Sequence, residues 1–156
     1  MGSQPIMTDV TRFVTLEAYV ANRSIFGKLV TILDIAHHSR RLVLLPTYSR
    51  VLVAHSVQEL VMTNEAGKKP GDVVDRVAYL GFFEVARSGC IIVGERLLAN
   101  GREIGHVIGF DETHAPNHMN IVVRAKELRT GKQLGLRLGT RIDLKAAPRN
   151  SREKQP

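Results

Sequence analysis

The run C-I-I-V-G-E-R-L-L-A-N-G-R-E-I-G-H-V-I-G-F, Cys90–Phe110, decides the fold. At its centre, Asn100-Gly101 is a pair that tolerates the two positive φ values of a two-residue hairpin turn. Cys90–Leu98 and Arg102–Phe110 on either side are rich in Ile, Val and Leu, so the stretch predicts two antiparallel strands joined by that turn. In the second arm Ile104, His106, Ile108 and Phe110 share one face, and Gly105, Val107 and Gly109 share the other. This phase puts His106 on an apolar face directed inward.

Period-two alternation continues on both sides of the hairpin. In Gln133–Leu144, Leu134, Leu136, Leu138, Ile142 and Leu144 share a face opposite Arg137, Arg141 and Asp143, which predicts a long half-buried strand. The R-T-G-K turn, residues 129–132, would fold Asn120–Leu128 back on it as a second hairpin. Val73–Glu84, Lys28–Ala36, Arg41–Leu45 and Arg50–Ala54 read as further strands, and Arg12–Val20 alternates more weakly. One segment has helical grammar. Ser56 and Glu59 match a capping box, Val57, Leu60, Val61 and Asn64 keep helical spacing, and Gly67 stands where a helix would end. Many short strands with at most one short helix predict a mainly β protein, a small closed or nearly closed β-barrel of antiparallel hairpins.

The chain of 156 residues divides into a flexible N-terminus over 1–10, one barrel domain over 11–144 and a disordered basic tail over 145–156. The net charge is +7, and the tail carries four basic residues and one acidic residue. Such a tail attracts polyanions or simply keeps the chain in solution. With 5% aromatic residues and no Trp, the sequence lacks the stacking platforms of a nucleic-acid reader. Neither G-x-x-x-x-G-K-[ST] nor G-x-G-x-x-G is present, so neither common nucleotide-binding loop is predicted. No apolar run reaches the ~18 residues of a membrane span. The single cysteine, Cys90, permits no internal disulfide. The expectation is a soluble, cytoplasmic homo-oligomer, and a third possibility beside enzyme and binding module is a purely structural subunit whose exposed strand edges pair into a homodimer.

Chemistry concentrates in Ile104–Val123. This stretch holds three of the six histidines, His106, His114 and His118, with Asp111, Glu112, Asn117 and Asn120. A neutral histidine lining an apolar cavity can serve as a base or a ligand. His106 and His114 are the candidate base and acid, with Asp111 or Glu112 orienting an imidazole. His118, Asn117, Asn120, Asp75 and Tyr79 are candidates to bind substrate. His114 and His118, with His106 or Asp111, have the donor types for an open three-ligand transition-metal site. A plainer alternative is a loop whose polar side chains bond their own backbone. The functional expectation is a lyase, isomerase or hydrolase acting on a small organic molecule at one end of the barrel. A non-catalytic ligand- or polyanion-binding β module is the alternative. Asp34, in phase with Val30 and Ile32, is expected to face the interior.

Overall fold

Asn100 and Gly101 both hold positive φ, 46° and 82°, the pairing whose twist matches that of flanking strands. The turn joins β8 to β9 in a computed structural model that describes residues 19–147. Eleven strands run in the order β1 (Ile25–His37), β2 (Leu42–Val43), β3 (Ser49–Leu52), β4 (Val57–Thr63), β5 (Val73–Val74), β6 (Val77–Arg87), β7 (Gly89–Ile92), β8 (Arg96–Ala99), β9 (Arg102–Asp111), β10 (Asn120–Arg124) and β11 (Arg141–Lys145). Seven of them close a barrel in the order β1-β11-β8-β9-β10-β4-β6. The protein is mainly β, as the alternation predicts.

Side chains alternating inward fill the barrel. Leu60, Met62, Leu80, Phe83, Leu97, Val107, Phe110, Ile121, Val123 and Leu144 are all at or below 1% exposure in one continuous core. Burial of this kind contributes about 25 cal/mol per Å² of apolar surface and supplies the main drive to fold. Two short ribbons lie outside the barrel. β3 pairs with β7, bringing Leu52 and Ile91 into the core. β2 pairs with β5, setting Leu42, Leu44 and Val74 over Val61, Tyr79, Ile108 and Val122 on the outer wall. Along the β1–β6 seam, Gly81 sits in a bulge at φ +151°, where a Cβ would come 2.0 Å from the Thr31 carbonyl oxygen. Only glycine fits there.

Several expectations are corrected. The segment read as a helix is strand β4, and the described residues contain no helix of any kind, hence none long and apolar enough to cross a membrane. The Ser56 hydroxyl instead donates to the Val53 carbonyl at 2.6 Å in a turn. Cys90–Leu98 is broken at Gly94, φ +97°, into β7 and β8. Gln133–Leu144 is mostly turn: Gly135 and Gly139 hold positive φ, Leu138 is 70% exposed, and only Arg141–Lys145 is strand. The hairpin expected between Asn120–Leu128 and this segment does not form. β10 pairs with β9 and, in parallel, with β4, whereas β11 pairs with β1 and β8.

Asp34 is exposed, accepting from Thr130 Oγ1 at 2.8 Å and facing Lys132 Nζ at 3.7 Å. Strand β11 ends on Lys145, one residue past the expected domain boundary. Residues 1–10, the expected strand Arg12–Val20 except its last two residues, and residues 148–156 of the expected tail lie outside the described residues. Closure removes the free edges of the main sheet, so the strand-edge argument for a homodimer loses its basis there.

The inward placement of His106 also fails, for a local reason. β9 pairs Gly109 with Val122 and then Val107 with Val123, so Ile108 is the extra residue of a bulge. One extra residue reverses the facing of everything beyond it. Phe110 and Val107 therefore both point inward, and His106 projects outward between Arg96 and Arg124.

Candidate functional site

The register of four adjacent strands aligns Phe82 of β6, Glu59 of β4, Asn120 of β10 and Asp111 of β9 in one row. Their chain neighbours Phe83, Leu60, Ile121 and Phe110 fill the core, so the row projects from the outer wall. The loop from Glu112 to Met119 turns back over it. Thr113 Oγ1 donates to Asp111 Oδ2 at 2.7 Å, its backbone N–H donates to Oδ1 at 3.3 Å, and Asn120 Nδ2 donates to Oδ1 at 2.9 Å. Three donors thus fix the Asp111 carboxyl, which is 4% exposed.

Glu59 has no comparable set of donors. It is 5% exposed, and burial pushes its pKa from 4.5 up to about 7; Arg40 opposes the rise and Asp111 adds to it. Removing a carboxyl from water penalises its charged form, which is the dominant cause here. The Arg40 guanidinium is held on this wall by its Nε, which donates to the Tyr79 hydroxyl at 3.0 Å.

His118 completes the group. Its Nε2 stands 3.2 Å from Glu59 Oε2, off the line of a well-formed hydrogen bond. Its Nδ1 lies 2.7 Å from Asn117 Oδ1. An amide oxygen only accepts, so this contact selects the tautomer with the proton on Nδ1 and the lone pair of Nε2 toward Glu59. The ring meets Phe82 edge-on at 4.9 Å and stacks on His114 at 4.9 Å. Burial lowers the His118 pKa and His114 lowers it further, against an opposing effect of Asp111. Beside the ring opens a groove of about 360 Å³ lined by Arg50, Ser56, Gln58, Glu112, Asn117 and His118. Arg50 and Glu112 form an ion pair at its rim. Gln58 Oε1 accepts the Met119 amide at 2.9 Å and anchors the end of the loop.

Of the residues singled out from sequence, Asp111, Asn117, His118 and Asn120 come together, with His114 exposed on the outer side of His118 and Glu112 held by Arg50. Tyr79 reaches the same wall through Arg40. His106 does not join them: it lies five residues from Asp111 along β9, roughly 16 Å at about 3.3 Å per residue. Asp75 stands apart as well, its backbone N–H donating to Glu65 Oε2 at 2.8 Å. No three His, Cys, Asp or Glu side chains among the described residues are placed to hold a metal. The expected three-ligand set fails because His106 is distant, Asp111 is bound by its own donors, and His114 and His118 stack face to face.

Glu59, Phe82, Arg40 and Arg50 were not anticipated. Glu59 was legible in principle: in V-Q-E-L-V-M-T, strict alternation places it with Val57, Val61 and Thr63, a lone carboxylate on a β-branched face. The capping-box reading of Ser56 and Glu59 concealed it.

Residues 19–145 match the model of a family described as a family of unknown function, DUF6917. Neither the curated proteins nor the solved structures contain a match to the chain.

Proposed function

The chain belongs to that family of unknown function, which lends it no activity, and we propose that Glu59 and His118 form an acid–base pair serving a small polar organic molecule bound in the adjoining groove. The single observation that carries this reading is the 3.2 Å approach of His118 Nε2 to a buried carboxyl whose pKa is raised to about 7. The usual order of the two groups is inverted, the carboxyl pushed up to about 7 and the imidazole pushed down from 6.5. Such a pair keeps a protonated acid beside a neutral base near pH 7, the condition for general acid–base work.

Each member has a stated part. Neutral His118, its tautomer set by Asn117, is the member of the pair that lines the groove and exchanges a proton with the ligand, while its Nε2 faces Glu59. Glu59, protonated through its burial, stands behind the ring and not in the groove wall, so it exchanges its proton with His118 and reaches the ligand only through the imidazole. Asp111, held by Thr113 and Asn120, keeps Glu59 from ionising by like charge. Proton transfer, elimination and hydrolysis all use such an arrangement, so the proposed activity is that of an isomerase, lyase or hydrolase. The groove volume of about 360 Å³ falls in the range of small-ligand sites.

The test is a screen of the full chain against hydroxy acids, esters and lactones, followed by Glu59→Gln and His118→Gln on whichever substrate turns over. Each variant is expected to lower kcat by about 10²–10⁴-fold, the usual range for a lost acid or base. Turnover that survives in both variants overturns the assignment. Without a substrate, carboxyl NMR decides: Glu59 titrating in the ordinary carboxylate range would remove the basis of the pair.

A further inference from the structure

The same register that aligns Glu59 with Asp111 aligns a second row further along the barrel wall. Arg124 of β10 lies opposite His106 of β9, His106 opposite Arg96 of β8, and Arg96 opposite Lys145 of β11. Their neighbours Val123, Val107, Leu97 and Leu144 are each at 0% exposure in the core, so all four side chains project outward. At about 4.8 Å between strands, the row spans roughly 14 Å with three permanent positive charges and one imidazole.

The protein itself neutralises little of this charge. Arg96 Nη1 faces one carboxylate, Glu103 at 3.6 Å, whose side chain is 52% exposed and so screened by water. Arg124 forms no ion pair among the described residues. The Nε of both arginines is buried without a hydrogen-bond partner among the described residues, so only the outer nitrogens of each guanidinium can meet a ligand. Both arginines are partly exposed, and the outer nitrogens of a guanidinium match the geometry of oxyanions. Past Lys145, the sequence continues the charge with Arg149, Arg152 and Lys154.

We propose that the Arg124–His106–Arg96–Lys145 row is a binding site for a ligand bearing several linked phosphoryl groups. A single phosphate would reach only two adjacent positions, whereas a linear arrangement of charge on four strands matches a chain of them. No Phe, Tyr or Trp stands in the row, so the proposed recognition is of phosphoryl oxygens and not of bases. Burial lowers the pKa of His106 and the charge of Arg124 lowers it further, against an opposing effect of Glu103. The imidazole therefore sits in a positive field that an oligophosphate would relieve. The site is separate from the Glu59–His118 pair and does not rest on it.

The experiment is calorimetric titration of the full chain with tripolyphosphate, and in a second arm with a short single-stranded oligothymidylate, at low and at physiological salt. Arg96→Gln/Arg124→Gln is expected to weaken binding at least about tenfold, with a shallower salt dependence. Lys28→Gln/Lys132→Gln removes the same formal charge off the row and should change affinity less than about twofold. Oligothymidylate that competes with tripolyphosphate and is lost in the same row variant assigns the site to a polynucleotide backbone. Tripolyphosphate binding alone assigns it to a small oligophosphate. Unchanged affinity in the row variant, or equal weakening in the off-row control, overturns the proposal. Should the row variant fail to fold, the wild-type chain decides by NMR. The His106 ring resonances must shift on adding tripolyphosphate while those of His37 and His38 stay in place, and a His106 that does not respond is equally fatal.

Discussion

Glu59→Gln tests the energetics of the outer-wall site without any substrate. A carboxyl whose pKa stands at about 7 in the fold, against 4.5 ordinarily, binds its proton more tightly folded than unfolded. The sign follows. Its favourable contribution is fully present below pH 4.5 and is lost as pH rises through about 7, because above that the fold must hold an ionised carboxylate out of water. At about 1.36 kcal/mol per pH unit, the difference is on the order of 3 kcal/mol between pH 4 and pH 9. Glutamine keeps the shape and never ionises. The variant should therefore gain on the wild type by 1–3 kcal/mol, as an order of magnitude, on going from pH 4 to pH 9.

His118 does not cancel this effect. Its pKa is lowered, so at pH 9 the imidazole is neutral and offers Glu59 no counter-charge. Arg40 opposes the ionisation cost but ranks below burial among the causes. Urea unfolding of both proteins at the two pH values, with stabilities extrapolated to water, reads the quantity directly. Every other titrating group is shared, so the difference isolates Glu59 and its partners. Equal stability differences at pH 4 and pH 9, within about 0.5 kcal/mol, would refute both the buried carboxyl and the acid–base pair built on it.

Asn120→Ala should destabilise by roughly 2–4 kcal/mol in the same urea assay, because Asn120 is at 0% exposure and its loss leaves a cavity and strips a donor from buried Asp111. Gly81→Ala should cost more than about 4 kcal/mol or prevent folding, read by circular dichroism, since its Cβ would meet backbone at 2.0 Å and φ is +151°. A Gly81→Ala chain that melts like the wild type would show that the β1–β6 bulge is not where the register places it.

The features written into short sequence windows were legible. Asn100-Gly101 makes its turn because both positive φ values are local demands that the two residues satisfy alone. Alternation likewise announces strands and hence a barrel. What a window cannot hold is a pairing between distant segments. β4 is a strand because β10, about 60 residues away, pairs with it in parallel, and this overrides the helical spacing of Val57, Leu60, Val61 and Asn64. The bulges of β9 are equally invisible, and one of them reverses His106. In Gln133–Leu144 the alternating leucines are real, but Gly135 and Gly139 turn the chain, so alternation there does not make a strand. The site followed the same division. Asp111, Asn117, His118 and Asn120 cluster because a short loop keeps them close, whereas Glu59 reaches them only through sheet register.

The barrel interior is filled by its own side chains, so polar chemistry is displaced to the outer wall, and this has a consequence for how the two rows interact. On β10, Asn120 belongs to the acidic row and Arg124 to the basic one, with Val122 between them under the β2–β5 ribbon. Four residues of strand separate them by roughly 13 Å. That exceeds the ~8 Å screening length at physiological salt. The ribbon packs on Val61 and Val122 between the rows, while His118 of the Glu112–Met119 loop lies against Glu59. The rows should therefore act independently: Glu59→Gln should leave tripolyphosphate affinity within about twofold, and Arg96→Gln/Arg124→Gln should leave the Glu59 titration unmoved. Lower salt lengthens the range of the field, so any coupling should appear first at about 10 mM, as basic-row variants raising the Glu59 pKa. Strong coupling at physiological salt would mean that the two rows form one site, with the ribbon as its lid and not as a partition.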